Sequence, residues 1–156
     1  MTTHPAVEAA EPAAAGYTLW AVFRRAPGQP GVPGESAASA IDELERAADR
    51  VAAAGVTIRG WYDVSGLRAD ADLMVWLHGD TAEALQAALR DLRRTQLLAQ
   101  LLPTWNALGV HRDAEFNRAH VPGFLRGVEP REWLVLYPFV RDTEWYLLPE
   151  AERGRM

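Results

Sequence analysis

Hydrophobic positions along the chain recur with a helical period in two segments. Between Ser36 and Ala54 they return every three or four residues, which is the spacing of one face of an α-helix, and Gly55 follows where a left-handed C-terminal cap is expected. Asp80 and Glu83 have the spacing of a capping box at the start of the second segment. The apolar stripe of that segment consists of Ala84, Leu85, Ala88, Leu89 and Leu92. The pattern therefore predicts two amphipathic helices.

Four other segments have the alternation or the β-rich composition of strands. They are Tyr17–Arg24, Val56–Asp63, Asp72–His78 and Pro103–Arg112. The second and third are joined by the turn-like sequence VSGLRAD, which predicts an antiparallel hairpin. The resulting order, β-α-β-β-α-β over residues 17–112, is that of a ferredoxin-like α+β unit, in which two helices cover one face of a four-stranded antiparallel sheet.

The other face of this predicted sheet has no helix to cover it. Trp20, Trp61 and Trp76 lie in strands that could supply large side chains to that face, and a second sheet is the expected cover. Glu132–Arg141 (EWLVLYPFVR) has the pattern of a new first strand, and the sequence from Leu148 (LPEAERGRM) has the pattern of a new helix. We therefore expect one complete unit followed by the start of a second.

The expected domain organisation has four parts. Residues 1–16 are rich in Pro, Ala and Glu and are predicted to be a disordered tail. Residues 17–112 are the N-terminal ferredoxin-like unit, and residues 113–131 are a connector that contains Arg, Pro and Gly. Residues 132–156 are the incomplete start of a second ferredoxin-like unit.

The composition excludes several classes of chemistry. The 156 residues include no cysteine, which rules out a thiolate nucleophile, an iron–sulfur cluster and a cysteine-based zinc site. All 16 basic residues are arginine, so the lysines of Schiff-base and P-loop chemistry are missing. Because no apolar run could span a membrane and no secretory signal pattern is present, we expect a cytoplasmic protein. The net charge of −5 argues against a nucleic-acid-binding surface.

Two groups of residues could carry chemistry. His120 lies in the irregular segment EFNRAHVPGF, and loops on a rigid scaffold often hold acid–base residues, but a structural role is equally open. His4, His78 and His111 are interpreted as incidental or structural.

The second group consists of Tyr137, Arg141 and Trp145. If the predicted strand stays regular, Tyr137 and Arg141 share one face, where a guanidinium could bind a carboxylate-bearing ligand. Core packing is the alternative interpretation for Tyr137 and for Trp145. These residues alone therefore predict a soluble α+β protein with a possible His/Tyr/Arg site.

Two stretches, EFNRAHVPGFL and WLVLYPFVRDTEWYLLPEAERGRM, closely resemble the coproheme decarboxylases of the chlorite dismutase-like superfamily, in particular the actinobacterial type. The resemblance covers essentially all of the chain after the tail. It implies two tandem ferredoxin-like halves per subunit, a ring-shaped homopentamer and a heme site in the second half. It also implies heme biosynthesis: the oxidative decarboxylation of two propionates of iron coproporphyrin III (coproheme) by hydrogen peroxide, which yields heme b.

The same resemblance implies roles for four residues. Tyr137 matches the tyrosine whose radical abstracts hydrogen from a propionate, and His120 matches the distal histidine that assists peroxide deprotonation. Arg141 matches a positively charged neighbour of the propionates, and Trp145 matches a pocket tryptophan near the tyrosine. The proximal histidine that binds iron in the family is expected beyond Met156, so no metal ligand is predicted within the sequence.

One alternative function belongs to a different class of protein. A non-catalytic ferredoxin-like module for heme binding or assembly would dimerise sheet to sheet and inherit His120 and Tyr137 without their chemistry. A small heme-degrading monooxygenase of the α+β-barrel type fits less well, because His120 and the YPFVR sequence resemble the coproheme decarboxylases instead. The decarboxylase activity is expected of the complete protein, and the shortened chain is expected to bind the cofactor weakly without an axial histidine.

Overall fold

The computed structural model describes residues 16–112 and 121–153, and the first of these ranges contains four strands. The strands are β1 (Tyr17–Arg25), β2 (Thr57–Arg68), β3 (Ala71–Gly79) and β4 (Leu101–Val110). The helices in the same range are α1 (Gly34–Ala53), α2 (Ala82–Leu92) and the single-turn α3 (Gln96–Ala99). The second range contains a 3₁₀ turn (Gly123–Arg126), α4 (Thr143–Leu147) and α5 (Glu150–Arg153). The order of the long elements is the predicted β-α-β-β-α-β.

The strands form one antiparallel sheet in the order β2-β3-β1-β4. The strand β1 is central, because Ala21 lies opposite Val75 of β3 on one side and opposite Asn106 of β4 on the other. Helices α1 and α2 pack on one face of this sheet. This topology confirms the ferredoxin-like α+β fold that the sequence predicts.

The hydrophobic core lies between the helices and one face of the sheet. Leu19, Ala21 and Phe23 point from β1 toward the helices and are buried, so Trp20 and Val22 face the opposite side. The rest of the core cluster consists of Ala47, Val51, Val56, Val75, Leu77, Leu85, Ala88, Leu89, Leu92 and Leu98. Because a fully buried valine, leucine or phenylalanine contributes roughly 1.5–3 kcal/mol, this layer is the main source of stability.

The ends of the two long helices test the predicted caps. The residue that caps α2 is Thr81, whose hydroxyl accepts a hydrogen bond of 3.1 Å from the backbone N–H of Ala84. The predicted cap, Asp80, is wrong because it lies one residue too early to reach the free N–H groups of the first turn. Gly55, with φ of +80°, adopts the left-handed conformation that was predicted at the end of α1.

The hairpin of β2 and β3 is longer than predicted. The strand β2 continues to Arg68, which pairs with Ala71, although the pairing is irregular between Asp63 and Arg68. The guanidinium of Arg68 donates hydrogen bonds of 2.9 and 3.0 Å to the carboxylate of Asp70. The composition of VSGLRAD suggested a longer turn, but most of these residues lie in β2.

A β-bulge in β2 reverses the direction of the side chains that follow it. The register with β3 shifts between Ile58 and Gly60, so that Trp61 lies opposite Val75 and faces the helices. Trp61 therefore does not contribute to the uncovered face, contrary to the expectation. The alternation of an unbroken strand would have placed it there, and the extra residue in the bulge changes its side.

The sheet face away from the helices, called the open face below, carries Trp20 and Trp76. Their rings stack with a centroid separation of 6.0 Å, and the Trp76 indole N–H donates a hydrogen bond of 2.7 Å to Thr18 Oγ1. Parts of the described chain after residue 120 lie against this face. Phe124 contacts the edge of the Trp76 ring, and a segment that includes Leu134 borders the open face farther along.

Residues 132–141 do not form the predicted strand. None of the described strands pairs with this segment, and a strand needs a neighbour to satisfy its backbone N–H and C=O groups. Pro138 additionally lacks a backbone donor in the middle of the segment. Within residues 16–112 and 121–153, no helix has the length and apolar character needed to cross a membrane.

Candidate functional site

The segment that carries Tyr137 lies across part of the open face. Leu134 and Leu136 are half-buried and, together with Met74 of β3, line a cavity of about 380 Å³. Tyr137 alternates with them and is 69% exposed, and its ring lies 6.1 Å from that of Phe139. Leu134 and Leu136 therefore lie toward the sheet, and the phenol of Tyr137 is left accessible to a ligand.

Arg141 and Trp145 form a cation–π pair, in which the guanidinium carbon lies 4.0 Å from the centroid of the indole. The turn between them is the start of α4, where the carboxylate of Asp142 accepts a hydrogen bond of 3.0 Å from the backbone N–H of Glu144. This cap turns the chain so that the first turn of the helix presents Trp145 to Arg141. The structure thus brings together two of the predicted site residues.

Tyr137 and Arg141 were predicted to share one face of a strand. Because residues 132–141 form no strand, the alternation argument does not apply to them. The ring contacts pair Arg141 with Trp145, whereas Tyr137 is paired with Phe139. The candidate site therefore consists of two separate contacts along one segment of the chain.

Arg153 is a further member of the basic and aromatic group, and the sequence interpretation did not single it out. Its guanidinium carbon lies 5.9 Å from the Trp145 ring centroid, and its Nη1 donates a hydrogen bond of 3.3 Å to the carbonyl of Tyr146. No helical spacing in the sequence indicates it, because α4 ends at Leu147 and α5 begins only at Glu150. Two guanidinium groups that contact one indole form a surface suited to carboxylates.

The histidines contribute less to the described site. His120 lies outside the described residues. On the open face, the ring of His78 lies 5.3 Å from that of Phe124. Burial lowers the pKa of His78, the positive charge of Arg59 lowers it further, and Asp80 acts in the opposite direction. His78 is therefore neutral at pH 7 and packs as an aromatic side chain.

Metal ligands form no cluster within the described ranges. Among residues 16–112 and 121–153, no group of three or more His, Cys, Asp or Glu side chains could hold a metal ion. The described part of the chain instead offers a phenol, two guanidinium groups and an indole.

The sheet with helices on one face, together with the accessible tyrosine and the arginine–tryptophan pair beyond it, defines a ferredoxin-like α+β protein with a surface suited to an aromatic, anionic ligand. The sequence pattern of the chlorite dismutase family matches residues 37–156. The chain therefore belongs to the chlorite dismutase family.

A curated relative extends this comparison. The coproheme decarboxylase of Mycolicibacterium smegmatis (strain ATCC 700084 / mc(2)155) is 49% identical over 141 residues, which cover 90% of this chain and 60% of the relative. The chain thus spans about 60% of the length of that protein.

Solved structures confirm the fold. A mutant chlorite dismutase from Candidatus Nitrospira defluvii superposes with a TM-score of 0.66 at 20% identity, covering 90% of this chain and 60% of that one. The structure of chlorite dismutase from the same organism in complex with imidazole gives a TM-score of 0.67 at 23% identity, with the same coverage. At this identity the likeness establishes the architecture and not the chemistry.

Proposed function

We propose that the full-length protein is a coproheme decarboxylase of heme biosynthesis, which uses hydrogen peroxide to convert iron coproporphyrin III to heme b. The observation that carries the proposal is the 49% identity to a coproheme decarboxylase over 90% of this chain. Tyr137, Arg141 and Trp145 all lie within the segment that matches the chlorite dismutase family.

The residues of this chain fit an iron coproporphyrin as substrate. Its macrocycle is planar and apolar, and its four propionates are carboxylates. Trp145 offers an aromatic ring for the macrocycle, and the guanidinium groups of Arg141 and Arg153, which both contact that ring, offer paired donors for carboxylates.

Tyr137 is proposed to carry out the hydrogen abstraction. A phenol can lose one electron and one proton, and the resulting radical can remove a hydrogen atom from the β-carbon of a propionate. Loss of a second electron and of carbon dioxide then leaves a vinyl group. For each propionate, hydrogen peroxide accepts two electrons and two protons, one of them from solvent, and becomes two molecules of water. The bound iron porphyrin supplies the centre at which peroxide is activated.

Two further groups complete the proposed site. His120 is proposed to accept a proton from peroxide, because an imidazole titrates near neutral pH. The axial histidine for the iron is expected beyond Met156. His78 is an unsuitable ligand because its ring packs against Phe124 on the open face of the first sheet.

The proposal includes the organisation of the whole protein. Residues 17–112 are the N-terminal unit, residues 113–131 the connector, and residues 132–156 the start of a second, heme-binding unit. A cytoplasmic homopentamer is the expected assembly. The support for these statements is the resemblance of the YPFVR and EWYLLP sequences to the actinobacterial enzymes.

The test is conversion of coproheme by the full-length protein. Purified protein is checked by intact mass, loaded with coproheme, followed by its visible spectrum during peroxide addition, and analysed for heme b by liquid chromatography. The wild type should form heme b, whereas Tyr137→Phe should bind coproheme and form none. Tyr146→Phe, which removes another exposed phenol nearby, is the matched control and should convert normally.

Two outcomes would contradict the proposal. Near-normal conversion by Tyr137→Phe would remove the radical role from this residue. Tight binding of coproheme without any conversion by the wild type would instead favour the non-catalytic heme-binding or assembly module.

A further inference from the structure

Arg59 lies at the β-bulge of β2, where the register with β3 shifts between Ile58 and Gly60. A bulge inserts an extra residue and redirects its side chain, and bulges are frequent next to functional sites. Here the guanidinium carbon of Arg59 lies 4.7 Å from the centroid of Trp76, on the open face. The Nη2 group of Arg59 donates a hydrogen bond to the backbone carbonyl of Val128. The bulge thus directs a cation at Val128, which lies within residues 113–131, the predicted connector.

Phe124 packs on the same part of the open face. Its ring lies 6.3 Å from Trp76 in an edge-on arrangement and 5.3 Å from His78. The backbone N–H of Val128 donates a hydrogen bond of 2.9 Å to the carbonyl of Gly123, which closes the turn between Phe124 and Val128. One compact turn is therefore held to the sheet by two contacts, an aromatic ring and a carbonyl.

The Arg59 guanidinium has few partners that can compensate for its partial burial. The Nε of Arg59 is buried and has no hydrogen-bond partner among the described residues, so the Val128 carbonyl and the Trp76 ring are the contacts that compensate the guanidinium. Removing the guanidinium would leave the Val128 carbonyl without its donor. The turn would then be held mainly by Phe124.

We propose that Arg59 is a positioning residue, which fixes the turn from Pro122 to Val128 to the open face and so sets where the chain begins its path to Tyr137. Farther along the path, the half-buried Leu134 and Leu136 line a cavity with Met74 of the open face, which is a second contact with the sheet. With the first attachment in place, the segment between the two contacts has fewer conformations. The consequence for catalysis rests on the proposed function; the anchoring itself does not.

Hydrogen exchange of the full-length protein without bound porphyrin tests the anchoring. The amides of Leu125 and Val128, which donate to the carbonyls of Pro122 and Gly123, report on the turn. Arg59→Met keeps an apolar stem over Trp76 but removes the donor, and it should speed exchange about tenfold, the factor expected when one charge-assisted hydrogen bond is lost.

Two more variants make this experiment specific. Arg59→Lys retains a cation and a donor and should recover most of the protection. Arg126→Met removes a different arginine from the same turn and should leave exchange unchanged. Unchanged exchange in Arg59→Met, with Tm close to that of the wild type, would overturn the proposal, and so would an equal effect of Arg126→Met.

Kinetics with coproheme and peroxide test the positioning role. Arg59→Met should lower kcat for decarboxylation about tenfold while the Kd for coproheme stays within about twofold, because an interaction that orients Tyr137 is expressed in turnover and not in binding. Arg59→Lys should recover most of kcat. Faster exchange with unchanged kcat would overturn the positioning role. Absence of turnover in the wild type would refute the proposed function, and exchange alone would then decide the anchoring.

Discussion

Arg141 is held by an aromatic ring and not by a carboxylate. Its guanidinium carbon lies 4.0 Å from the Trp145 centroid, and within residues 16–112 and 121–153 no acidic side chain forms an ion pair with it. A cation on an indole face is oriented but not neutralised, so its hydrogen-bond donors stay available. This arrangement suits a residue that must bind a carboxylate brought by a ligand.

Replacing Arg141 should therefore weaken coproheme binding. In the full-length protein, Arg141→Leu should raise the Kd for coproheme by about tenfold, since a hydrogen bond to a charged group is lost. Arg141→Lys should have a smaller effect, because it keeps the charge but not the planar fork. Titration followed at the Soret band measures both variants. Arg131→Leu, which removes an exposed arginine from the preceding segment, is the control, and an equal loss in that variant would show that only general charge matters.

At the level of elements, the helix α2 depends on one hydroxyl at its start. Thr81 Oγ1 accepts the hydrogen bond from Ala84, and the helix then buries Leu85, Leu89 and Leu92 against the sheet. The side chain of the preceding residue, Asp80, has no such role in the observed cap. The cap and the apolar stripe thus determine where the helix begins and which face it buries.

Thr81→Ala should lower the free energy of unfolding by about 1 kcal/mol, the usual cost of losing an N-cap. Asp80→Ala should change it by less than about 0.5 kcal/mol, as surface substitutions usually do. Urea denaturation of the two variants beside the wild type provides the comparison. A larger loss in Asp80→Ala than in Thr81→Ala would restore the capping box predicted from the sequence.

The predicted helices and strands are confirmed where a hydrophobic pattern continues unbroken. The predictions are wrong at a β-bulge and in a segment without a partner among the described strands. The helical stripes and the alternating or β-rich strand segments are local patterns that burial enforces, so the sequence could predict them. The side of Trp61 depends on a bulge, which reverses the alternation without a clear signal in the sequence. Residues 132–141 have the composition of a strand, but strand formation requires a partner, and none of the described strands provides one.

At the level of the whole molecule, the candidate site could be predicted only in part. Tyr137, Arg141 and Trp145 were identified from their residue types and from a family resemblance, and the pairing of the last two is observed. Arg153 and Arg59 were missed, because each acquires its role from a contact between elements distant in sequence or separated by a helix break. Such contacts are products of the fold, and no local pattern in the chain encodes them.

The expected position of the axial histidine gives a prediction for the molecule as a whole. In the proposed function, Arg141, Arg153 and Trp145 contact the propionates and the ring of coproheme, whereas the iron ligand is expected beyond Met156. The 156-residue chain should therefore bind coproheme at least about tenfold more weakly than the full-length protein, because axial ligation is a main contribution of the protein to a bound heme.

Imidazole separates a missing iron ligand from a misfolded site. Added to the 156-residue chain, it should shift the Soret band and tighten coproheme binding, because it can supply the axial nitrogen ligand that is expected beyond Met156, and it should change the full-length protein little. Soret titrations of both proteins with and without imidazole measure this. If the short chain already binds as tightly as the full-length protein and with the same spectrum, the ligand must lie within these residues. His120→Ala would then be the first variant to examine, since His120 is also the residue proposed to accept the peroxide proton.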